Sequence, residues 1–372
     1  MGGMAPSSSA TARARVYLDH AATTPIAPAA VAALAEGAAR WANPSSVHAE
    51  GRAARAQLEE ARARIAARLG WTGDVVLTSG ATEAHALALR SAEGAPMVSA
   101  VEHASVLGHA PQARRLPVDR AGRLELDALR HALAQAGRDP LVALMHANNE
   151  TGVIQPVAEA LDMVRAAGGR LLVDCAQTAG KLPLPDADLI VVSAHKLGGP
   201  PGVGALLVRD AARLMPFPAG GQERGLRPGT ENLPAVMAFA AALEALEPAA
   251  WEAQRAHRAA LEARLAAAGA IVAGADAPRL ATIATIRMAG VEGMTQLMAF
   301  DLDGFALSSG AACSSGRVKP SHVLQAMGWD ATAAGECVRV SLGPATTAAQ
   351  VQAFAQSWER LAARVAPARA AA

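Results

Sequence analysis

For roughly two hundred residues this chain alternates short apolar runs with segments whose apolar positions recur at helical spacing, and no other feature narrows its fold as much. Asp74–Thr78, Pro96–Val101, Leu141–Met145, Arg170–Val173, Leu189–Ser193 and Gly204–Val208 read as strands. Between them lie helical patterns such as Ala54, Leu58, Ala61, Ile65 and Leu69. Strand–helix alternation implies an α/β fold: a mostly parallel sheet covered by helices on both faces. After Thr230 an Ala/Leu/Glu-rich helical stretch runs to about Gly269 with a break near Pro248. Beyond it the pattern becomes a smaller α+β unit, with strands near Ala281–Met288 and Val338–Leu342 and helices at Thr295–Phe300, Ser321–Met327 and Thr347–Ala366. The expected organisation is a tail over residues 1–15, a large domain over 16–250 and a small C-terminal domain over 251–372.

With 52% hydrophobic residues but only one Tyr, five Phe and five Trp, the core has to be built from Ala, Leu and Val. A net charge of +1 argues against an electrostatic nucleic-acid footprint. Acids and arginines interleave, as in Glu59-Glu60-Ala61-Arg62-Ala63-Arg64, which reads as a solvated helix face. No apolar stretch reaches membrane-spanning length. Cys175, Cys313 and Cys337 are odd in number and widely spaced, so they suit a reducing, cytoplasmic setting and neither a disulfide framework nor a metal site. Met1–Ala14 is Ser/Ala-rich and reads as a disordered tail, being shorter and less basic than a transit peptide.

Charge chemistry singles out one residue. The chain has 31 arginines and three lysines, and Lys196 follows the apolar run Leu189–Val192. Arginine stays protonated, whereas a lysine can become the neutral amine that attacks a carbonyl. Lys181, in a Gly-Lys-Leu-Pro connection, and Lys319, before a proline in a polar loop, are weaker candidates. In open α/β sheets ligands sit at the carboxyl ends of the strands. Three such ends carry polar groups: His146-Ala147-Asn148-Asn149-Glu150, Asp174-Cys175-Ala176-Gln177 and Ser193-Ala194-His195-Lys196. Thr78-Ser79-Gly80-Ala81-Thr82-Glu83 leads into a helix and suits a phosphate, although Ser/Thr-x-x-Glu is equally a capping box. A phosphate cup, an amine for covalent attachment and a carboxylate for a pyridinium nitrogen are together what pyridoxal 5′-phosphate requires, with Asp174 in the last role. Cys313, in Ser308-Ser309-Gly310-Ala311-Ala312-Cys313-Ser314-Ser315, reads as an exposed loop nucleophile, while Cys175 and Cys337 read as small buried hydrophobes.

From about Val16 to the C-terminal helices the chain resembles pyridoxal-phosphate-dependent cysteine desulfurases of the NifS/IscS-like, long-loop branch, in the class V aminotransferase superfamily. The motifs that carry the resemblance include Tyr17–Pro25, Asn43–His48, Thr78–Glu83, Glu102-His103, His146–Gly152, Asp174–Gln177, Ser193–Lys196, Gly220–Gly225, Arg227–Asn232, Ser308–Ser315 and Arg339–Gly343. The resemblance implies a type I fold of pyridoxal-phosphate-dependent transferases. It implies that Lys196 holds the cofactor, Asp174 pairs with the ring nitrogen and Gln177 with the phenolic oxygen. His103 would stack on the ring and serve in acid–base steps. Ala81, Thr82, Ser193 and His195 would hold the phosphate, and Thr230 would reach a phosphate in the other subunit of a homodimer. Asn149 and Arg339 would bind the carboxylate of L-cysteine. Cys313 would take the sulfur as a persulfide, leaving alanine, and pass it to an acceptor protein such as an iron–sulfur scaffold or a sulfur relay. A selenocysteine lyase, a transaminase and an inactive sulfur-transfer scaffold are the alternatives; Cys313 counts against the second, and the presence of Lys196 and Cys313 against the third. The sequence departs from the family pattern at Ala84-His85-Ala86, Gly198, Pro201 and Ala311, which bears on fine tuning and leaves every catalytic group in place.

Overall fold

The computed structural model describes residues 15–309 and 320–370, with side chains described to residue 365. The tail read over residues 1–14, Lys319 and Cys313 lie outside the described residues. Twelve strands are described: β1 (Val16–Tyr17), β2 (Asp74–Thr78), β3 (Met97–Ser99), β4 (Arg114–Leu116), β5 (Leu141–Met145), β6 (Arg170–Asp174), β7 (Leu189–Ser193), β8 (Gly204–Val208), β9 (Ile271–Val272), β10 (Ile283–Arg287), β11 (Phe305–Ala306) and β12 (Cys337–Ser341).

Seven strands form one sheet in the order β2-β8-β7-β6-β5-β3-β4. Every pairing in it is parallel except those of β8, which is antiparallel to both β2 and β7. β5, β6, β7 and β8 are buried at every position, as strands covered on both faces should be. The covering helices are alanine-rich and approach closely. Helix Leu233–Ala245 has ten buried residues, and helix Pro28–Ala38 lies so near it that a Cβ on Gly37 would stand 2.6 Å from Pro234 Cα. A chain poor in aromatic residues fills its core by bringing backbones together.

A second core forms around β10 and β12, which pair antiparallel. It gathers Phe300, Phe305, Phe354 and Trp358. The N-terminal segment joins this core: β1 pairs with β11, and Leu18 is fully buried there. Among the described residues no single helix is long and apolar enough to cross a membrane.

Several expectations need correcting. The strand read over 96–101 is three residues long, and those read over 281–288 and 338–342 span Ile283–Arg287 and Cys337–Ser341. The helical stretch after Thr230 starts at Leu233, where Asn232 Oδ1 accepts the Ala235 N–H at 3.2 Å. It breaks as expected, between Ala245 and Pro248. β4 left no apolar run because two of its three residues are exposed arginines. Nor is the Glu59–Arg64 face simply solvated. Arg62 donates to both oxygens of buried Glu223, at 2.6 and 2.9 Å, and Glu223 also accepts the Leu77 N–H of β2.

Candidate active site

The carboxyl ends of β2, β3, β5, β6 and β7 open onto one cavity of about 490 Å³, closed on the far side by Arg339 of β12 and by Ser308 and Ser309. Of the residues singled out from the sequence, Ala81, Thr82, His103, Asn149, Asp174, Ser193, His195, Lys196 and Arg339 line it. Gln177 stands behind the wall, where its Nε2 donates to the carbonyl of Ala21, itself a lining residue, at 2.8 Å. Thr230 is exposed and does not line the cavity.

After β2 the chain turns through Gly80 at φ +148°, a conformation L side chains rarely adopt, and enters helix Ala81–Leu89. Gly204 at the head of β8 packs so close that a Cβ there would lie 2.8 Å from Gly80 Cα. The close approach requires glycine at 204, and the positive φ requires it at 80. The helix has no side-chain cap, because its N-cap residue, Gly80, has no side chain, and the Glu83 carboxylate accepts the Ser79 N–H at 2.5 Å and Arg227 Nε at 3.2 Å. First-turn N–H groups left without a cap, at the positive end of the helix, favour an anion.

Lys196 does not extend β7. The strand stops at Ser193, and Ala194–Lys196 forms one 3₁₀ turn. The N-terminal segment holds that turn: Thr24 donates its N–H to the His195 carbonyl at 2.8 Å and its hydroxyl to the Lys196 carbonyl at 3.1 Å. Thr23 Oγ1 lies 3.2 Å from His195 Nδ1. Burial lowers the pKa of Lys196, against the opposing pull of Asp174. His195 falls to about 4 through burial and then the charge of Lys196.

Lys181 is also buried and lowered to about 7, by burial and then by Lys196. It lies over the Trp251 ring at 4.1 Å and does not line the cavity. Position, and not a perturbed amine as such, distinguishes Lys196.

Asp174, at the end of β6, accepts the Ala176 N–H on Oδ1 at 2.8 Å. Burial raises its pKa, but His85, whose Nε2 is 3.3 Å from Oδ2, together with the Ala176 N–H and the charge of Lys196, holds the carboxyl well below the usual carboxylate range. Beside it, Glu102 is fully buried and pushed up to about 8 by burial and then by Asp174, while one oxygen accepts the Met145 N–H at 2.7 Å. His103 is lowered to about 4 by burial and then by Lys196. Its Nδ1 accepts the Ser105 N–H at 3.1 Å and lies 2.8 Å from Ser105 Oγ.

Arg339 donates to Asp19 Oδ1 at 2.8 Å and to the Asn149 carbonyl at 2.9 Å, and among the described residues its buried Nε has no partner. A guanidinium fixed on two sides with a donor to spare suits a carboxylate ligand.

Burial pushes the thiol of Cys337 up to about 12 and that of Cys175 further still, so neither is a ready nucleophile. Among the described residues no cluster of metal-ligating side chains occurs. Sequence reasoning gave no role to Asp19, Thr23 and Thr24, although all three belong to the Tyr17–Pro25 motif. It noted His85 only as a departure from pattern, and it missed Ser105.

Residues 16–354 match the aminotransferase class-V family model. A cysteine desulfurase of Cereibacter sphaeroides is 39% identical over 361 residues, covering 91% of this chain and 93% of the relative. A solved NifS-like protein from Rickettsia africae superposes with TM-score 0.86 at 31% identity, covering 93% of this chain and 99% of that one. A structure described as SspA in complex with cysteine superposes with TM-score 0.75 at 28% identity, covering 89% and 100%. The chain belongs to the aminotransferase class-V family and, within it, to the NifS/IscS-like cysteine desulfurases.

Proposed function

We propose that the protein removes sulfur from L-cysteine with pyridoxal 5′-phosphate as resident cofactor, releases alanine, and passes the sulfur from a persulfide on Cys313 to an acceptor protein. One observation carries this reading: the Lys196 amine, the Asp174 carboxylate and an uncapped helix terminus line a single cavity.

The residues present fit the cofactor. The first turn of helix Ala81–Leu89, with Thr82, Ser193 and His195, would hold the phosphate. An ionised Asp174 would hold a protonated ring nitrogen, and Lys196 would provide the covalent link. When bound, the cofactor supplies an electron sink for charge developing at the substrate's α-carbon.

The chain's own groups do the rest. Arg339 and Asn149 orient the substrate carboxylate. Lys196, as a neutral amine, would accept and return the α-proton, and His103 would lie beside the cofactor and serve in acid–base steps. The Cys313 thiolate attacks the substrate sulfur: an S–S bond forms, the C–S bond breaks, and its electrons stay with the carbon fragment, which is protonated and leaves as alanine. An acceptor thiolate then attacks the outer sulfur and frees Cys313 as the leaving thiolate. Ser308 and Ser309 on the cavity wall support this role, because four residues of chain from Ser309 to Cys313 span at most about 14 Å. An exposed Thr230, outside its own chain's cavity, supports a homodimer in which that residue serves the partner's site.

The test compares Lys196→Ala and Cys313→Ser with the wild type. Lys196→Ala should lose the visible absorbance of lysine-linked cofactor. Cys313→Ser should keep that absorbance and still bind cysteine, but give no alanine and no sulfide. Full sulfide release by Cys313→Ser would overturn the assignment of the nucleophile.

A further inference from the structure

The chain reaches Thr230 through a strained corner. Glu223 (φ +47°) and Arg224 (φ +57°) stand in succession in the left-handed region, which residues other than glycine occupy at a cost. The corner is held from outside. The buried Glu223 carboxylate takes two N–H groups of Arg62 and the Leu77 N–H on the outer edge of β2, the first strand of the seven. Arg62 Nη1 also donates to the Val75 carbonyl on that edge, at 2.7 Å. The ion pair thus stands where another strand would pair. Leu226 is then buried in the core between the sheet and helix Ala81–Leu89, so Arg227 departs from a fixed point. Its guanidinium serves two groups: Nε donates to Glu83 Oε1 at 3.2 Å, and Nη1 donates to the Gly229 carbonyl at 3.1 Å. Glu83 lines the cavity, and its other oxygen holds the Ser79 N–H. On the far side, Asn232 caps helix Leu233–Ala245. An exposed threonine is therefore fixed from both directions, behind a corner that stores strain. Strain of this kind persists where a position matters to function.

We infer that Arg227 is a positioning residue: by tying the Gly229 carbonyl to Glu83 of its own phosphate cup, it sets Thr230 of one subunit for the cofactor phosphate of the other. This inference rests on the reading of Thr230 as a residue shared between the two sites of a homodimer. The task suits arginine, whose planar fork reaches two acceptors in fixed directions, whereas a lysine presents a single ammonium on a flexible stem. Gly229 makes the tie necessary. Its φ of +94° belongs to the region glycine enters freely, so without Arg227 the backbone just before Thr230 gains conformations and the hydroxyl is no longer held ready. The effect on the chain's own cup is smaller. There Glu83 keeps the Ser79 N–H, and its carboxylate is partly exposed, so solvent screens the charge that Arg227 leaves behind. Arg227 accordingly acts across the subunit boundary more than within its own cavity.

The experiment uses cofactor-loaded mixed dimers of two differently tagged full-length chains, one carrying Lys196→Ala, so that only one site can link its cofactor to lysine. During dialysis, samples are reduced with borohydride and the cofactor retained on the Lys196 peptide is counted by mass spectrometry. In the first dimer Arg227→Met lies on the Lys196→Ala chain, and the counted site depends on the altered chain's Thr230. In the second it lies on the chain that keeps Lys196. Both dimers have the same composition, so a loss of stability alone would act on them alike. The first should lose cofactor about tenfold faster than a dimer carrying Lys196→Ala only, the equivalent of one hydrogen bond, and the second should stay within about twofold. Arg227→Lys on the Lys196→Ala chain, a milder change to the fold, should give a loss between the two. Thr230→Ala on that chain should lose cofactor at least as fast as Arg227→Met, and adding Arg227→Met to it should change nothing further, because the arginine acts through the threonine. Equal losses in the two arrangements, or losses that multiply in the double variant, would overturn the positioning role. Thr230→Ala that retains its cofactor in this arrangement would remove the shared-site reading itself.

Discussion

Arg339 of β12 donates through one terminal nitrogen to Asp19 Oδ1 at 2.8 Å, across 320 positions of sequence. This contact ties the N-terminal segment to the wall of the cavity, and among the described residues the buried Nε of Arg339 has no partner. Asp19 is itself raised in pKa by burial, and the pull of Arg339 opposes that rise. Because Asp19 orients the guanidinium, Asp19→Ala should raise KM for cysteine by about tenfold, about 1.4 kcal/mol of ground-state binding, with little change in kcat. Steady-state kinetics of alanine formation checks this, and a lowered KM would show that Asp19 competes with the substrate for Arg339.

Lys181 makes a prediction of opposite character. Its pKa falls to about 7 through burial and the charge of Lys196. Between about pH 7 and about pH 10 the unfolded chain therefore binds more protons at this site than the folded one, and stability rises with pH through that window. Lys181→Met removes the penalty that is fully present below it. The variant should melt at a higher temperature than the wild type at pH 7, and this advantage should shrink as pH rises toward 10. A difference in melting temperature that stays constant over that range would contradict the account.

Glu102 titrates with the reverse sign. Its folded pKa is raised to about 8, by burial first, so the folded state holds an extra proton between about pH 4.5 and about pH 8. The stability this contributes is present at low pH and is lost as pH rises through 8. Glu102→Gln keeps an acceptor for the Met145 N–H and never ionises. Its melting temperature should match that of the wild type near pH 5 and exceed it increasingly toward pH 9, by an amount on the order of a few kcal/mol in stability. Parallel melting curves across that range would mean the carboxyl is not paying for burial.

Much of the sheet was legible because its strands are buried on both faces and leave unbroken apolar runs. β2, β5, β7 and β8 begin and end where the sequence says, and Asn149, Asp174, Ser193, His195 and Lys196 at the ends of β5, β6 and β7 line a common cavity. The antiparallel placement of β8 was not legible, since burial on both faces gives the same pattern in either direction. β4 is an arginine-rich edge, and β1 and β11 are two residues long; none of them leaves a periodic signal. At the site, Lys196 stood out by scarcity. The contacts that position it and its neighbours were invisible because they join distant segments: Thr24 to the Lys196 turn, Asp19 to Arg339, and His85 to Asp174. Gln177 could be found by motif, but only coordinates could show that its amide is engaged with Ala21.

The most direct test of the account is mass spectrometry of the three cysteine-containing peptides after a single turnover of the cofactor-loaded protein with cysteine. The account predicts one added sulfur atom on Cys313, removable by a thiol, in step with one alanine formed, and unmodified Cys175 and Cys337. Alanine formed with no sulfur on Cys313, or with the sulfur on either buried cysteine, would contradict it.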